Sequence, residues 1–141
     1  MTDLLLEKGN KEFSLVENII KSVENKKEAE PFREPVDYEG LGLTDYPKIV
    51  TKMMDLGTLS KNLQEGFYKN VRECLDDLQL IWDNCKLYNV EFSKIYKLAQ
   101  KLEEYTKKLV KEQFGTLEYG KNNPSYKLLA DQIQNMNLED E

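Results

Sequence analysis

The 141-residue chain has no histidine, only two cysteines and no glycine-rich phosphate loop. Each absence removes a class of chemistry. Without histidine, neither a Ser–His nor a Cys–His nucleophile can be assembled. With no histidine and two separated cysteines, a zinc site is not expected either. Cys74 and Cys85 stand eleven residues apart. On one helix, at about 1.5 Å rise per residue, that places them ~16 Å apart. A disulfide needs Cα atoms within about 7 Å. Free, buried, inert thiols of a reducing compartment are therefore expected. Neither GxxxxGK[ST] nor GxGxxG occurs, so no nucleotide cofactor is implied. No apolar run approaches the ~18 to 20 residues of a membrane span. The apolar opening from Met1 to Leu6 has no basic segment before it, as a secretory signal would. A soluble intracellular domain is the expectation.

What is present describes one ordinary domain, 40% hydrophobic and 33% charged. Its length suffices for a core without metals or disulfides. The net charge of −6 argues against direct nucleic-acid binding and is compatible with a basic partner. Two acidic pairs, Asp76–Asp77 and Glu103–Glu104, invite a search for general acid–base chemistry. Adjacent helical residues point about 100° apart, however, and these read as surface acids. An enzyme is not expected.

Apolar spacing gives helices and no strand of useful length. Phe13, Val16, Ile19, Ile20 and Val23 mark a helix over 11–26, after a lead of residues 1–10. Pro31, Pro35 and Pro47 then fall within seventeen residues, together with Gly40 and Gly42, and break any helix there. Yet this stretch keeps Phe32, Val36, Tyr38, Leu41, Leu43, Tyr46, Ile49 and Val50. A long loop so apolar is expected to fold back and pack, and such loops are often functional.

Leu56, Leu59 and Leu63 mark a short helix over 56–65, closed by Gly66 as a left-handed cap. Asn70 and Glu73 resemble a capping box at the start of the strongest helix, 70–88. Its apolar stripe runs from Val71 through Trp82 and Cys85 to Tyr88, with Asn89 at the end. Phe92, Ile95, Leu98, Ala99, Leu102, Tyr105 and Leu109 mark a fourth, 92–112. In the extension 113–141, Tyr126, Leu129, Ile133 and Met136 after Pro124 suggest a short extra helix before an acidic end, Leu138 to Glu141. The fold class is an all-α four-helix bundle with one long ordered loop. Loops at one end of such a bundle can form a cup, here apolar with one amide, Asn89, and one phenol, Tyr46. By spacing alone, Asn89 reads more readily as a helix C-cap, and the loop apolars as core packing.

Four motifs change the weighing. Pro31-Phe32-Arg33-Glu34-Pro35-Val36-Asp37, Leu41-Gly42-Leu43-Thr44-Asp45-Tyr46, Met54-Asp55-Leu56-Gly57-Thr58 and Asn84-Cys85-Lys86-Leu87-Tyr88-Asn89 resemble the bromodomain family in order and spacing. The resemblance covers about 11–112. It implies a left-handed bundle of helices Z, A, B and C with a long ZA loop, and N-acetylated lysine as the ligand, usually in a histone tail.

Carried over, Asn89 is the amide that donates to the acetyl carbonyl, and Tyr46 the phenol that reaches it through a water. Phe32 packs on the acetyl methyl, while Val36, Leu41 and Leu43 form the ZA wall. Ile95 is the gatekeeper and Tyr88 closes the remaining side. Many members carry Trp before the Pro-Phe and Pro before the Met-Asp, where this chain has Glu30 and Met53. An apolar shelf beside the pocket is thereby lost. The implied partner is an acetylated histone tail or another acetyl-lysine protein, read in the nucleus by a monomeric module of a larger protein. The rival expectation is a protein-interaction scaffold of the same fold with an idle or non-histone-specific pocket.

Overall fold

The computed structural model describes residues 2–115 and 117–139, with side chains over 9–115 and 117–135. Six α-helices follow one another: α1 (Thr2–Glu24), α2 (Tyr46–Ile49), α3 (Leu56–Gln64), α4 (Val71–Tyr88), α5 (Lys94–Phe114) and α6 (Pro124–Glu139). A 3₁₀ turn at Lys27–Phe32 leads out of α1. The described residues contain no strand. Helices α1, α3, α4 and α5 are the four of the bundle.

The expected core is present. Val16, Ile19, Ile20 and Val23 of α1 meet Leu56 and Leu59 of α3, the apolar side of α4, and Ala99, Leu102 and Val110 of α5. Caps set the boundaries. Asp55 accepts from the Thr58 N–H at 3.0 Å to start α3, and Gly66, at φ 72°, lies just past its end. Asn70 accepts from the Glu73 N–H at 3.0 Å, while the Glu73 carboxylate reaches back to the Lys69 N–H rather than to Asn70 itself.

Several boundaries differ from the sequence pattern. Helix α1 begins at Thr2, not 11, because Leu4 to Lys8 are good helix formers and Gly9 alone costs only about 1 kcal/mol. It ends at Glu24, not 26. Ser93 caps α5 by accepting from the Tyr96 N–H, so Phe92 is left in the link, 83% exposed, instead of joining the stripe. The extra helix is long, and the apolar pattern is not what buries it: Ile133 remains 60% exposed. Met136 and the acidic end, like the Met1 to Leu6 patch, lie outside the described side chains.

Helix α4 departs most from an amphipathic stripe. Every residue from Asp77 to Cys85 is buried, including Gln79, Asp83 and Asn84. Four helices alone would leave its polar side in water; α6 and the link before it cover that side. Of the acids read as surface residues, Glu104 is exposed, whereas Asp76, Asp77 and Glu103 are tied into the interior, because a buried carboxylate needs donors. Asp77 accepts from the Tyr68 hydroxyl at 2.7 Å and pairs with Lys52 at 3.0 Å. Asp76 accepts from the Gly120 N–H. Glu103 binds Lys86 at 2.9 Å and the Gln79 amide at 2.5 Å. These groups, with Asp83, border a cleft of about 640 Å³ between α4, α5 and α6.

Burial raises the Asp83 carboxyl above its ordinary 3.8, only partly offset by Gln79 and Lys86. The folded chain therefore holds that proton more tightly than the unfolded chain. Asp83 favours folding below pH 3.8 and loses that contribution as pH rises through the folded value. Relative to wild type, Asp83→Asn is expected to melt progressively higher as pH rises from 3.8 to the raised folded value and to keep that margin above it; a pH-independent difference in thermal melts would contradict this. Trp82, fully buried, is expected to cost about 3–5 kcal/mol on replacement by Ala, read from denaturant unfolding. A negligible shift would remove it from the core.

Candidate functional site: a cavity at the end of helix α4

The segment between α1 and α3 is irregular but pinned at both ends. The Arg33 guanidinium donates to Glu24 O at 3.0 and 2.8 Å and to Lys26 O at 2.9 Å, filling carbonyls that the end of α1 leaves open. The Arg33 carbonyl in turn accepts from the Gly57 N–H at 3.0 Å. A Cβ on residue 57 would stand 2.7 Å from that oxygen, so only glycine allows the approach.

With both ends fixed, Phe32 is buried edge-on against Trp82, ring centroids 5.2 Å apart. Tyr46, in α2, stacks on Tyr38 at 5.8 Å and takes the edge of Tyr88 at 4.9 Å. The Tyr88 hydroxyl donates to Asp45 Oδ1 at 2.7 Å, tying the end of α4 to the segment.

Between this segment and α4 lies a cavity of about 490 Å³. Its α4 side presents Ile81, Asn84, Cys85, Tyr88 and Asn89. Asn89 is the C-cap of α4, but with extended backbone (φ −98°, ψ 151°) rather than left-handed. Its backbone N–H and its Nδ2 both donate to Cys85 O at 3.0 Å. Nδ2 also lies 3.6 Å from Cys85 Sγ, so its two donor hydrogens rest on Cys85 O, which orients the side chain, and on a weak sulfur acceptor that a carbonyl would readily replace.

The phenol and thiol nearest the Asn89 amide are uncharged near neutral pH. Burial, aided by Cys85 and Tyr88, pushes the Tyr46 phenol up to about 12. Burial likewise pushes the Cys85 thiol up to about 12. Carboxylates sit at Glu30, Glu34, Asp37 and Asp55, which also line the cavity, Asp55 being engaged by the Thr58 N–H and hydroxyl. Such a site suits a neutral, mostly apolar group carrying one hydrogen-bond acceptor. Among the described residues, no group of three or more Cys, Asp or Glu side chains could hold a metal ion.

The family model for the bromodomain matches residues 16–101. The chain belongs to the bromodomain family. Its fold class is thus that family's all-α, left-handed four-helix bundle, here with a further C-terminal helix. Members are in general acetyl-lysine-binding modules of chromatin or transcription proteins. The chain is 43% identical over 86 residues to Transcription factor GTE1 of Arabidopsis thaliana, covering 61% of this chain and 22% of that protein. It is 43% identical over 82 residues to Protein cbp-1 of Caenorhabditis elegans, covering 58% of this chain and 4% of that protein. The bromodomain is a small part of both relatives.

All eight residues singled out from sequence line this one cavity. Phe32 and Tyr46 are buried; Leu43, Tyr88, Asn89 and Ile95 are half-buried. Val36 and Leu41 are 38% and 67% exposed, so they stand at the mouth of the cavity rather than forming a closed wall. Sequence reasoning missed Ile81 and Cys85, although positions four and eight residues before Asn89 share its helix face. It also missed Asn84, whose signal was a polar residue inside an apolar run. Pro31, Pro35 and Met54 carried no comparable signal.

A thiol near 12 is almost wholly protonated at neutral pH and correspondingly unreactive. Cys85, and Cys74, which burial also pushes up to about 12, are expected to resist a water-soluble thiol reagent in the native bromodomain. Both should react once it is denatured. Fast native labelling of Cys85 would mean that the cavity floor is open.

Proposed function

We propose that this bromodomain reads N-acetylated lysine in histone tails or similarly basic proteins, as a binding module rather than an enzyme. The observation that carries the reading is the Asn89 amide, oriented by Cys85 O and set in a cavity beside the uncharged side chains of Tyr46 and Phe32. Asn89 would donate to the acetyl carbonyl, Tyr46 would reach it through a water, and Phe32 would pack on the methyl. Val36, Leu41, Leu43, Tyr88 and Ile95 would enclose the lysine stem.

Selectivity follows from charge. Acetylation converts an ammonium into a neutral amide that an apolar cavity accepts, whereas an ammonium buried there without a partner is penalised. Asn suits the position because Asp would offer only acceptors at neutral pH. One hydrogen bond contributes about 0.5–1.5 kcal/mol net. Each buried methyl or methylene adds ~0.8 kcal/mol before entropic costs. Affinity for one site should lie roughly in the micromolar to millimolar range.

The rim points to a basic peptide. Residues 28–45 carry six acids and one base, Arg33. Arg33 is committed to Glu24 O and Lys26 O, so it is poorly placed to offset Glu30, Glu34 and Asp37. Glu30, standing where many members have Trp, adds charge in place of an apolar shelf. Lysines and arginines flanking the acetyl-lysine would meet this field. The name of the Arabidopsis relative supports a place in transcription, hence in the nucleus, within a longer protein.

Calorimetric titration with acetylated and unacetylated histone-tail peptides tests the reading. Wild type is expected to bind only acetylated peptides, and Asn89→Ala to lose them while melting nearly as wild type does. Binding retained by a folded Asn89→Ala would overturn the assigned mode. No binding to any peptide would favour a scaffold with an idle pocket. Glu30→Gln with Glu34→Gln should weaken binding of lysine-rich acetylated peptides, with the deficit shrinking as salt is added. A deficit indifferent to salt would remove the electrostatic account.

A further inference from the structure

The matched family segment ends at 101, but the chain continues through a turn at Gly120 into α6, and its polar ties run to α4. The Gly120 N–H donates to Asp76 Oδ1, and Asn123 Nδ2 donates to Asp76 O at 2.6 Å. Gly120 has φ 81°, and a Cβ there would stand 2.7 Å from the Gln79 side chain, so the turn is fitted against α4. Ser125, in the first turn of α6 and 1% exposed, donates its hydroxyl hydrogen to Asn84 Oδ1. Asn84, 3% exposed, lines the acetyl-lysine cavity, and its Nδ2 donates to Lys52 O at 2.8 Å. Lys52 lies two residues before Met54, another lining residue.

We propose that Ser125 is a positioning residue for the acetyl-lysine pocket, acting through Asn84 to fix the far end of the ZA loop. The proposal rests on the acetyl-lysine reading above. An amide has one accepting and one donating end, and its neighbours decide which end points where. Lys52 O is an acceptor and must meet the Nδ2 end. The Ser125 hydroxyl selects that orientation by donating to the opposite end. Without it, Asn84 Oδ1 becomes a buried acceptor with no partner, which is unfavourable. The amide is then held at its Nδ2 end alone, and the donor to the Lys52 carbonyl is less firmly placed. Lys52 keeps one other tether, its ammonium on Asp77 at 3.0 Å, so the loop end loosens rather than detaching. The pocket of this chain thus depends on a helix beyond the segment that defines the family.

The test uses the full chain, with Ser125→Ala and, as a control, Val16→Ala. Val16 is a fully buried core residue of α1 outside the cavity lining. Amide hydrogen exchange over residues 50–54 is measured without ligand, and affinity is measured with an acetylated histone-tail peptide. Ser125→Ala is expected to exchange faster over 50–54 and to bind roughly three- to tenfold more weakly. Val16→Ala should melt lower yet match wild type in both readouts. Wild-type exchange and affinity in Ser125→Ala would overturn the proposal, as would the same changes in Val16→Ala. Should wild type bind no acetylated peptide, the acetyl-lysine reading fails and with it the pocket role. Exchange over 50–54 would then separately show whether Ser125 holds the loop.

Discussion

The burial of α4 on all sides constrains the rest of the molecule. A helix with one apolar stripe can sit on a core and show its polar side to water. Here the polar side is covered as well, and its side chains draw most of their partners from inside the protein, with Gln79 Oε1 and Asp83 Oδ2 left unpaired. Asp77 takes Tyr68 and Lys52, Gln79 takes Glu103, and Asn84 takes Lys52 O and Ser125. Each pairing fixes a different neighbour: the links on either side of α3, helix α5, and helix α6. Apolar packing alone tolerates sliding. Directional bonds with buried partners do not, so α4 sets the position of the elements around it.

That arrangement explains why an irregular segment can carry a binding site. Arg33 and Gly57 close the segment at its ends, Phe32 rests on Trp82, and Tyr46 is held between Tyr38 and Tyr88. Asn89 benefits in a different way. It ends α4, where the helix leaves its amide free to turn back to Cys85 O and still face the cavity. The same residue is a cap and a cavity amide, so the two readings of its sequence position are not alternatives.

Cavity size alone would have misdirected attention. The cleft of about 640 Å³ beside α6 exceeds the cavity of about 490 Å³ at the end of α4. The larger one is bordered by Lys86, Glu103 and Asp83, which already pair with one another. The smaller one sets an oriented amide among apolar and aromatic side chains, and the proposed acetyl-lysine reading rests on that chemistry, not on volume.

By itself, the sequence determined the helical class, the core stripes of α1, α3, α4 and α5, and the eight candidate residues. Apolar spacing and caps are local, and they record which face of each helix avoids water. The motifs around Phe32, Tyr46 and Asn89 were legible because special backbone and side-chain needs restrict which residues serve there. Tertiary structure alone decided what covers the polar side of α4. The acids at 76, 77 and 103 look like surface residues in any local window, since no local signal says that α6 will cover the neighbouring helix. Asn84 and Ser125 lie 41 residues apart, and a hydrogen bond between them leaves no periodic trace in the chain. Burial of a polar group becomes meaningful only with its partner, and partners distant in sequence are chosen by packing.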